Sequence, residues 1–359
     1  MNGRKLYNKV CSLGAEAAVL FDEISMQYLS GFFSTDGFVL VDRDETALVI
    51  DSRYYEAASR LKDAGELPED VGIYLLERSL TGMLAELVGE KKITSLCFDS
   101  DRVTVSRSES LHEYFPSVRL IGKPDLCGEF RRVKSEKEIE YIRAAQQITD
   151  AAFSHILGFI RPGVTERQVA AELEYAMRRE GADGFAFETI AVSGLNSSLP
   201  HGVPSDAVLT ENSFLTMDFG ARYKGYCSDM TRTVVLGKAS DEMRRIYGTV
   251  LEAQRLGIEA ARHGVTGAEV DSAARSYIDS QGYAGRFGHS LGHSLGLEIH
   301  ENPRFSSRSD DVFVPGNVMT VEPGIYIPGF GGCRIEDMVL ITETGCIDLT
   351  SSPKELIEL

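Results

Sequence analysis

The sequence predicts an α+β domain made of two similar halves, each a helical section feeding a β-hairpin, preceded by a smaller α/β domain. Three observations carry that expectation. Short apolar runs alternate with amphipathic stretches over residues 1–125; two similar capped segments lie 101 residues apart further on; and a hairpin signature follows each copy. A chain of 359 residues has the length for roughly two domains of about 100 to 200 residues each.

In the first domain, residues 1–125, the apolar runs are Ala18 to Phe21, Phe38 to Val41, Ala47 to Ile50, Val71 to Leu75 and Ile93 to Phe98. Amphipathic stretches at Tyr54 to Lys62, Leu80 to Val88 and Val105 to Tyr114 separate them, the pattern of an α/β sandwich without a phosphate-binding glycine fingerprint. The segment 121–128 carries Pro and Gly without periodicity and reads as an interdomain link. The second domain then covers 126–359. Ser135-Glu-Lys-Glu138 is a capping box that starts a long helix, because hydroxyl and carboxylate satisfy amides that lack helical partners.

Two further boxes, Thr165-Glu-Arg-Gln168 and Thr266-Gly-Ala-Glu269, sit in segments that resemble each other. Arg161, Gly163, Val164, Thr165, Val169 and Gly181 recur as Arg262, Gly264, Val265, Thr266, Val270 and Gly282. After the first copy, Phe214 to Phe219 and Tyr226 to Val235 flank a turn at Tyr223-Lys-Gly225; after the second, Val318 to Glu322 and Arg334 to Ile341 flank a turn at 329–332. The halves are expected to face each other across a shared cleft.

Composition narrows the function. Hydrophobic residues at 43% and charged residues at 25% describe an ordinary globular protein. A formal charge of -17 repels phosphate backbones and anionic lipid, which argues against nucleic-acid and membrane partners. The six cysteines have no CxxC spacing, so no zinc knuckle or disulfide framework is written here, and a reducing compartment fits. No apolar stretch approaches the roughly 20 residues that cross a bilayer. A cytoplasmic location is expected.

Asp218 and Asp229 flank the first turn almost symmetrically, and Glu322 and Glu336 flank the second. Antiparallel pairing brings such acids close, and facing like charges destabilise a sheet unless a cation lies between them. Their neighbours Met217, Phe219, Val321, Met338 and Val339 are apolar, which ill suits a solvated face. Three of the seven histidines, His289, His293 and His300, fall within twelve residues among glycines, as where backbone must approach something closely. Four carboxylates and one imidazole suit two hard or borderline divalent ions: manganese is favoured, with cobalt, zinc or iron able to serve. Two such ions can activate a water and polarise a carbonyl, so hydrolysis is the natural chemistry.

The same stretch contains G-x-S-x-G twice, around Ser290 and Ser294, the nucleophile-elbow signature of serine hydrolases. That motif needs an apolar strand before it, and here Gln281 to Arg286 precedes it. The triad order also needs an acid and then a histidine after the serine, and the last histidine is His300. A serine hydrolase is therefore set aside.

These residues resemble the pita-bread metallopeptidases, in the Xaa-Pro branch that holds aminopeptidase P and prolidase. The resemblance lies in Pro200-His-Gly202, Asp218-Phe-Gly220, Tyr226-Cys-Ser-Asp229-Met-Thr-Arg-Thr233, His293 to Glu301, Val321-Glu-Pro-Gly-Ile-Tyr326 and Arg334-Ile-Glu-Asp337, in order over about 140 residues. It implies a pita-bread catalytic domain behind a creatinase/prolidase-type amino-terminal domain. It also implies that Asp218, Asp229, His293, Glu322 and Glu336 are the metal ligands, with Asp229 and Glu336 bridging. Glu322 is then the general base, His201 and His300 meet the substrate, His289 is a further active-site histidine, and Tyr326 and Arg334 orient ligands and substrate. Ser290 and Ser294 depart from the glycines of many relatives but remove no ligand.

The expected substrate has proline at its second position, as an Xaa-Pro dipeptide or the amino end of a longer peptide. Such bonds resist most peptidases because the imide lacks an N–H and restricts the neighbouring backbone. Arg304 resembles an arginine with which prolidases meet a dipeptide carboxylate; a solvated arginine is the competing reading. Relatives of this kind are commonly dimers, so a homodimer is expected. A catalytically inactive pita-bread binding protein is the alternative of another class, and retention of all five ligands opposes it.

Overall fold

A computed structural model describes residues 2–359. The chain divides into two compact units, Met1–Arg131 and Arg132–Leu359.

In the first unit six strands form one sheet in the order β4-β3-β2-β1-β5-β6: β1 Ala17–Leu20, β2 Phe38–Val41, β3 Thr46–Ile50, β4 Val71–Leu75, β5 Ser95–Asp99 and β6 Arg119–Lys123. β1, β5 and β6 pair in parallel, as do β3 and β4, while β2 runs antiparallel to β1 and β3. Helices α1 Asn2–Ser12, α2 Glu23–Ser30, α3 Ser52–Asp63, α4 Leu80–Glu90 and α5 Val105–Tyr114 alternate with the strands. β1, β2, β3 and β5 are buried along their whole length, which is why they read as continuous apolar runs. The segment 121–128 is not a free link. Its start belongs to β6, and Leu126 is held by Asp99 Oδ2 accepting its N–H at 2.9 Å and by Lys9 Nζ donating to its carbonyl at 3.0 Å. A short helix, α6 Gly128–Arg131, follows.

The second unit opens with α7 Glu136–Ile156 and α8 Glu166–Arg179, and its later half with α9 Asp241–Ala260 and α10 Gly267–Ile278. All three capping boxes read from the sequence form, at Ser135, Thr165 and Thr266. The repeat shows in their surroundings, since Thr165 bridges Val208 and Thr266 bridges Val312 in the same antiparallel way.

Each half then builds its hairpin. In the first, β9 Ser213–Phe219 pairs with β12 Met230–Leu236, with β8 Ile190–Ser193 on the other side of β9. β10 Ala221–Tyr223 and β11 Tyr226–Cys227 pair with each other across the turn, and β10 also pairs with β7 Gly184–Phe185. In the second, β15 Val318–Val321 pairs with β18 Asp337–Ile341, and β16 Gly324–Ile327 with β17 Gly331–Arg334 at its tip. β13 Gly292–Ser294, β14 Glu301–Phe305 and β19 Cys346–Asp348 complete that sheet in the order β14-β13-β15-β18-β19. Each half has its own apolar core. Val169, Leu173, Met217, Phe219 and Val234 belong to one, and Ile246, Val250, Val270, Val321 and Val339 to the other. No helix among the described residues is long and apolar enough to cross a membrane.

Candidate metal centre

Strand register decides which acids meet. β15 and β18 pair Val321 with Asp337, and β16 and β17 resume the same register at Gly324 and Arg334. Glu322 and Glu336 therefore face each other where the ladder is interrupted. In the first hairpin the partner of Asp218 is Thr231, and Asp229, two residues earlier, is the diagonal neighbour. The first pair is thus offset by two residues from the direct pairing that symmetry about the turn suggests. The chain kinks where β9 gives way to β10, at Gly220: a Cβ there would lie 1.9 Å from the Ser228 carbonyl oxygen, so only glycine fits.

The histidine arrives from the neighbouring strand. Gly292 brings β13 onto β15 so closely that a Cβ would sit 2.0 Å from Thr320 O. That approach lets His293 N–H donate to Thr320 Oγ1 at 3.0 Å. His293 Nδ1 donates to Ser294 O at 3.1 Å, which leaves Nε2 to face Asp229 Oδ2 at 3.5 Å and Glu322 Oε1 at 3.4 Å. Candidate ligand atoms of Asp229, His293 and Glu336 all lie within 4.8 Å of one another.

Behind the acids lies a buried polar layer. Thr231 Oγ1 donates to Glu336 Oε2 at 2.7 Å and accepts from Arg334 Nε at 2.9 Å. Arg334 also donates to Asp218 Oδ2 and to Tyr326 OH, both at 2.7 Å. The Tyr326 hydroxyl then donates to His289 Nε2 at 3.0 Å, because His289 Nδ1 already gives its proton to Ser290 O at 2.9 Å. Below this layer Arg232, 1% exposed, donates to Asp337 Oδ1 at 2.7 Å and to the carbonyls of Thr231, Glu336, Ser352 and Pro353.

The electrostatics are those of a cation site. Burial and the charges of Glu336, Asp218 and Glu322 push the Asp229 carboxyl well above the usual range, and burial with Glu322 and Asp218 does the same to Glu336. Burial, helped by Asp218 and opposed by Arg334, raises Glu322 to about 8. Burial, then the neighbouring His300, lowers His293 to about 3, so its imidazole is neutral and free to ligate. Asp218 Oδ1 and Glu336 Oε1 are buried without a hydrogen-bond partner among the described residues. Two orphaned carboxylate oxygens among four crowded acids, with one arginine beside them, fit divalent cations and little else.

A cavity of about 510 Å³ exposes Asp218, Asp229, His293, Glu322, Glu336, His201, His289, His300, Arg304 and Arg334 together. Tyr326 reaches it through Arg334 and His289. The loop bearing His201 is pinned by Glu166, a fully buried acid on α8 that accepts from Ser193 N at 2.7 Å and Ser205 Oγ at 2.6 Å. Asp271 and Arg275 on α10 hold the histidine segment through Leu291 N, Phe287 O and His289 O. Ser294, an apparent elbow serine, is fully buried and accepts from Lys134 Nζ at 3.1 Å, so it is no nucleophile.

Sequence reasoning did not single out Thr231, Glu166, Asp271 or Arg275, nor Phe187, Glu188, Ile190 and Ile299 on the cavity wall. Thr231 was within reach, since register alone sets it opposite Asp218. The wall residues follow no spacing that points to a site.

The Metallopeptidase family M24 model matches residues 140–343, and the Creatinase/Prolidase N-terminal domain model matches 4–133. The chain belongs to metallopeptidase family M24. It is 42% identical to the uncharacterized peptidase YqhT of Bacillus subtilis over 359 residues, 100% of both chains. An Xaa-Pro dipeptidase from Bacillus anthracis is similar in structure, with a TM-score of 0.94 and 43% identity over 100% of this chain and 99% of the other. An X-Pro aminopeptidase from Thermotoga maritima gives 0.93 and 38% over 100% of each. As an M24 enzyme the protein is a metallopeptidase that uses divalent metal, with the pita-bread domain behind a creatinase-type amino-terminal one.

Proposed function

We propose that this M24 peptidase hydrolyses the bond before proline in Xaa-Pro dipeptides or at the amino end of Xaa-Pro peptides. It does so with two divalent ions, manganese by preference, held by Asp218, Asp229, His293, Glu322 and Glu336, and it works in the cytoplasm as a homodimer. The observation that carries the reading is one cavity that combines these five groups with an apolar set, Phe187, Ile190 and Ile299, and an exposed arginine, Arg304. The apolar set suits a pyrrolidine ring, and the arginine suits a free carboxylate. The similar enzymes from Bacillus anthracis and Thermotoga maritima support the same substrate class.

When bound, divalent cations supply Lewis acidity, which makes a water acidic near neutral pH and polarises a carbonyl. Glu322 accepts the proton from the attacking water; Thr320 Oγ1, donating to its Oε1 at 3.1 Å, fixes the carboxylate. His201 and His300 reach the cavity as donors toward the substrate carbonyl oxygen. Partial desolvation and the charge of Arg304 lower the pKa of the His300 imidazole, which favours the neutral ring. Arg334 orients Asp218 through its 2.7 Å bond.

The test compares release of proline from Ala-Pro with release of alanine from Ala-Pro-Ala, each with and without added manganese. Manganese-dependent cleavage of either supports the proposal, and the faster substrate sets the length preference. Cleavage of neither with manganese, cobalt, zinc or iron overturns it.

A further inference from the structure

A second cavity, of about 410 Å³, adjoins the catalytic one, and Pro200, His201 and His289 line both. Arg304 and the apolar set line only the catalytic cavity, whereas Arg286, Tyr326 and Gly288 line only the second. A dipeptide whose carboxylate meets Arg304 and whose ring meets Phe187, Ile190 and Ile299 has its amino-terminal residue on the far side of the scissile bond. The part of the lining that the second cavity shares is Pro200, His201 and His289, and we set that residue against it.

We propose that this second cavity receives the side chain of the residue before proline, and that Arg286 makes the enzyme favour an acidic one. The inference rests on the Xaa-Pro reading above. Arg286 is exposed, and its side chain has no hydrogen bond or ion pair among the described residues. Its backbone is fixed, since its carbonyl accepts from Tyr326 N at 3.1 Å at the edge of β16. No carboxylate lines the cavity among the described residues. Both nitrogens of His289 are engaged, Nδ1 as donor to Ser290 O and Nε2 as acceptor from Tyr326 OH, so its ring is neutral. Arg286 is thus the one fixed charge on this lining. A Cβ added at Gly288 meets nothing within 4 Å, so the rim is open at this point.

An exposed ion pair of this kind discriminates weakly, by roughly threefold to fivefold, and is screened by salt. The experiment measures kcat/KM of the manganese-loaded full chain on Glu-Pro, Gln-Pro and Lys-Pro, for the wild type, Arg286→Gln and Arg286→Glu. Glu-Pro is expected to exceed Gln-Pro by that factor in the wild type. The ratio should fall toward unity in Arg286→Gln, and Arg286→Glu should favour Lys-Pro. A Glu-Pro to Gln-Pro ratio that the variants leave unaltered, or an equal loss on all three substrates, overturns the proposal. If the wild type also releases no proline from Ala-Pro with any divalent ion, the substrate reading fails and this inference falls with it.

Discussion

Replacing Thr231 with valine removes one oxygen from the centre of the site and changes almost nothing else. Thr231 is fully buried and valine has nearly its shape, so no cavity opens. Two hydrogen bonds disappear, the 2.7 Å donation to Glu336 Oε2 and the 2.9 Å bond from Arg334 Nε. Bonds to charged groups are each worth about 1.5 to 3 kcal/mol, and both partners stay buried in the variant. Glu336, which has no partner at Oε1 among the described residues, loses the Thr231 bond at Oε2. The loss of a group that orients a ligand weakens metal binding by about tenfold to a hundredfold, so Thr231→Val should bind manganese that much more weakly. Titration calorimetry of manganese into chelated protein reads this directly, with Thr231→Ser expected to restore most of the affinity. Unchanged manganese affinity in Thr231→Val, or a loss that Thr231→Ser shares, would refute the argument that this hydroxyl holds Glu336 and Arg334 in place.

Other consequences can be checked in the same preparations. Asp229→Asn removes charge from an acid 3.5 Å from His293 Nε2 and should abolish proline release and lower metal content by mass spectrometry; near-normal turnover would move the site elsewhere. Asp337→Asn strands Arg232, whose pair with Asp337 is 1% and 0% exposed, and should cost about 3 to 5 kcal/mol, or about 10 °C in calorimetric Tm. Lys354 also donates to Asp337 and loses a charged partner in the variant, so an unshifted Tm would contradict the reading of this buried carboxylate as a structural anchor. Metal-free protein should lose stability as pH rises from about 6.5 to 8, because folded Glu322, raised to about 8, still holds a proton that the unfolded chain has released. His289 and His293, lowered to about 3, act in the opposite sense but only below about 6.5, where folding must exclude protons that the unfolded histidines bind. A chelated Tm that is flat or rising over the upper window would contradict the crowding of the acids.

The local rules carried furthest where structure is set by neighbours in sequence. Ser135, Thr165 and Thr266 cap their helices as their spacing requires, and Phe38–Val41 and Val71–Leu75 are strands to the residue. The hairpins followed from turn residues, and Glu322 faces Glu336 because the second hairpin is centred on Gly329. Symmetry failed for Asp218 because the first hairpin is centred between Lys224 and Gly225, which sets Thr231 opposite it and moves Asp229 to the diagonal. What stayed hidden depends on tertiary packing. Nothing in the spacing of Glu166 and Ser205 shows that one buried acid gathers the 193–205 loop beneath His201. Nothing before the fold places Arg275 against the carbonyls of Phe287 and His289.

The central claim is that five side chains from two hairpins and one adjoining strand hold two ions that make the peptidase. Manganese bound per chain, measured against restored proline release from Ala-Pro as chelated protein is titrated, tests it most directly. Activity should be absent without metal, rise with manganese and level off at two equivalents per chain. Full activity in the chelated protein, or none after two equivalents have bound, would contradict it.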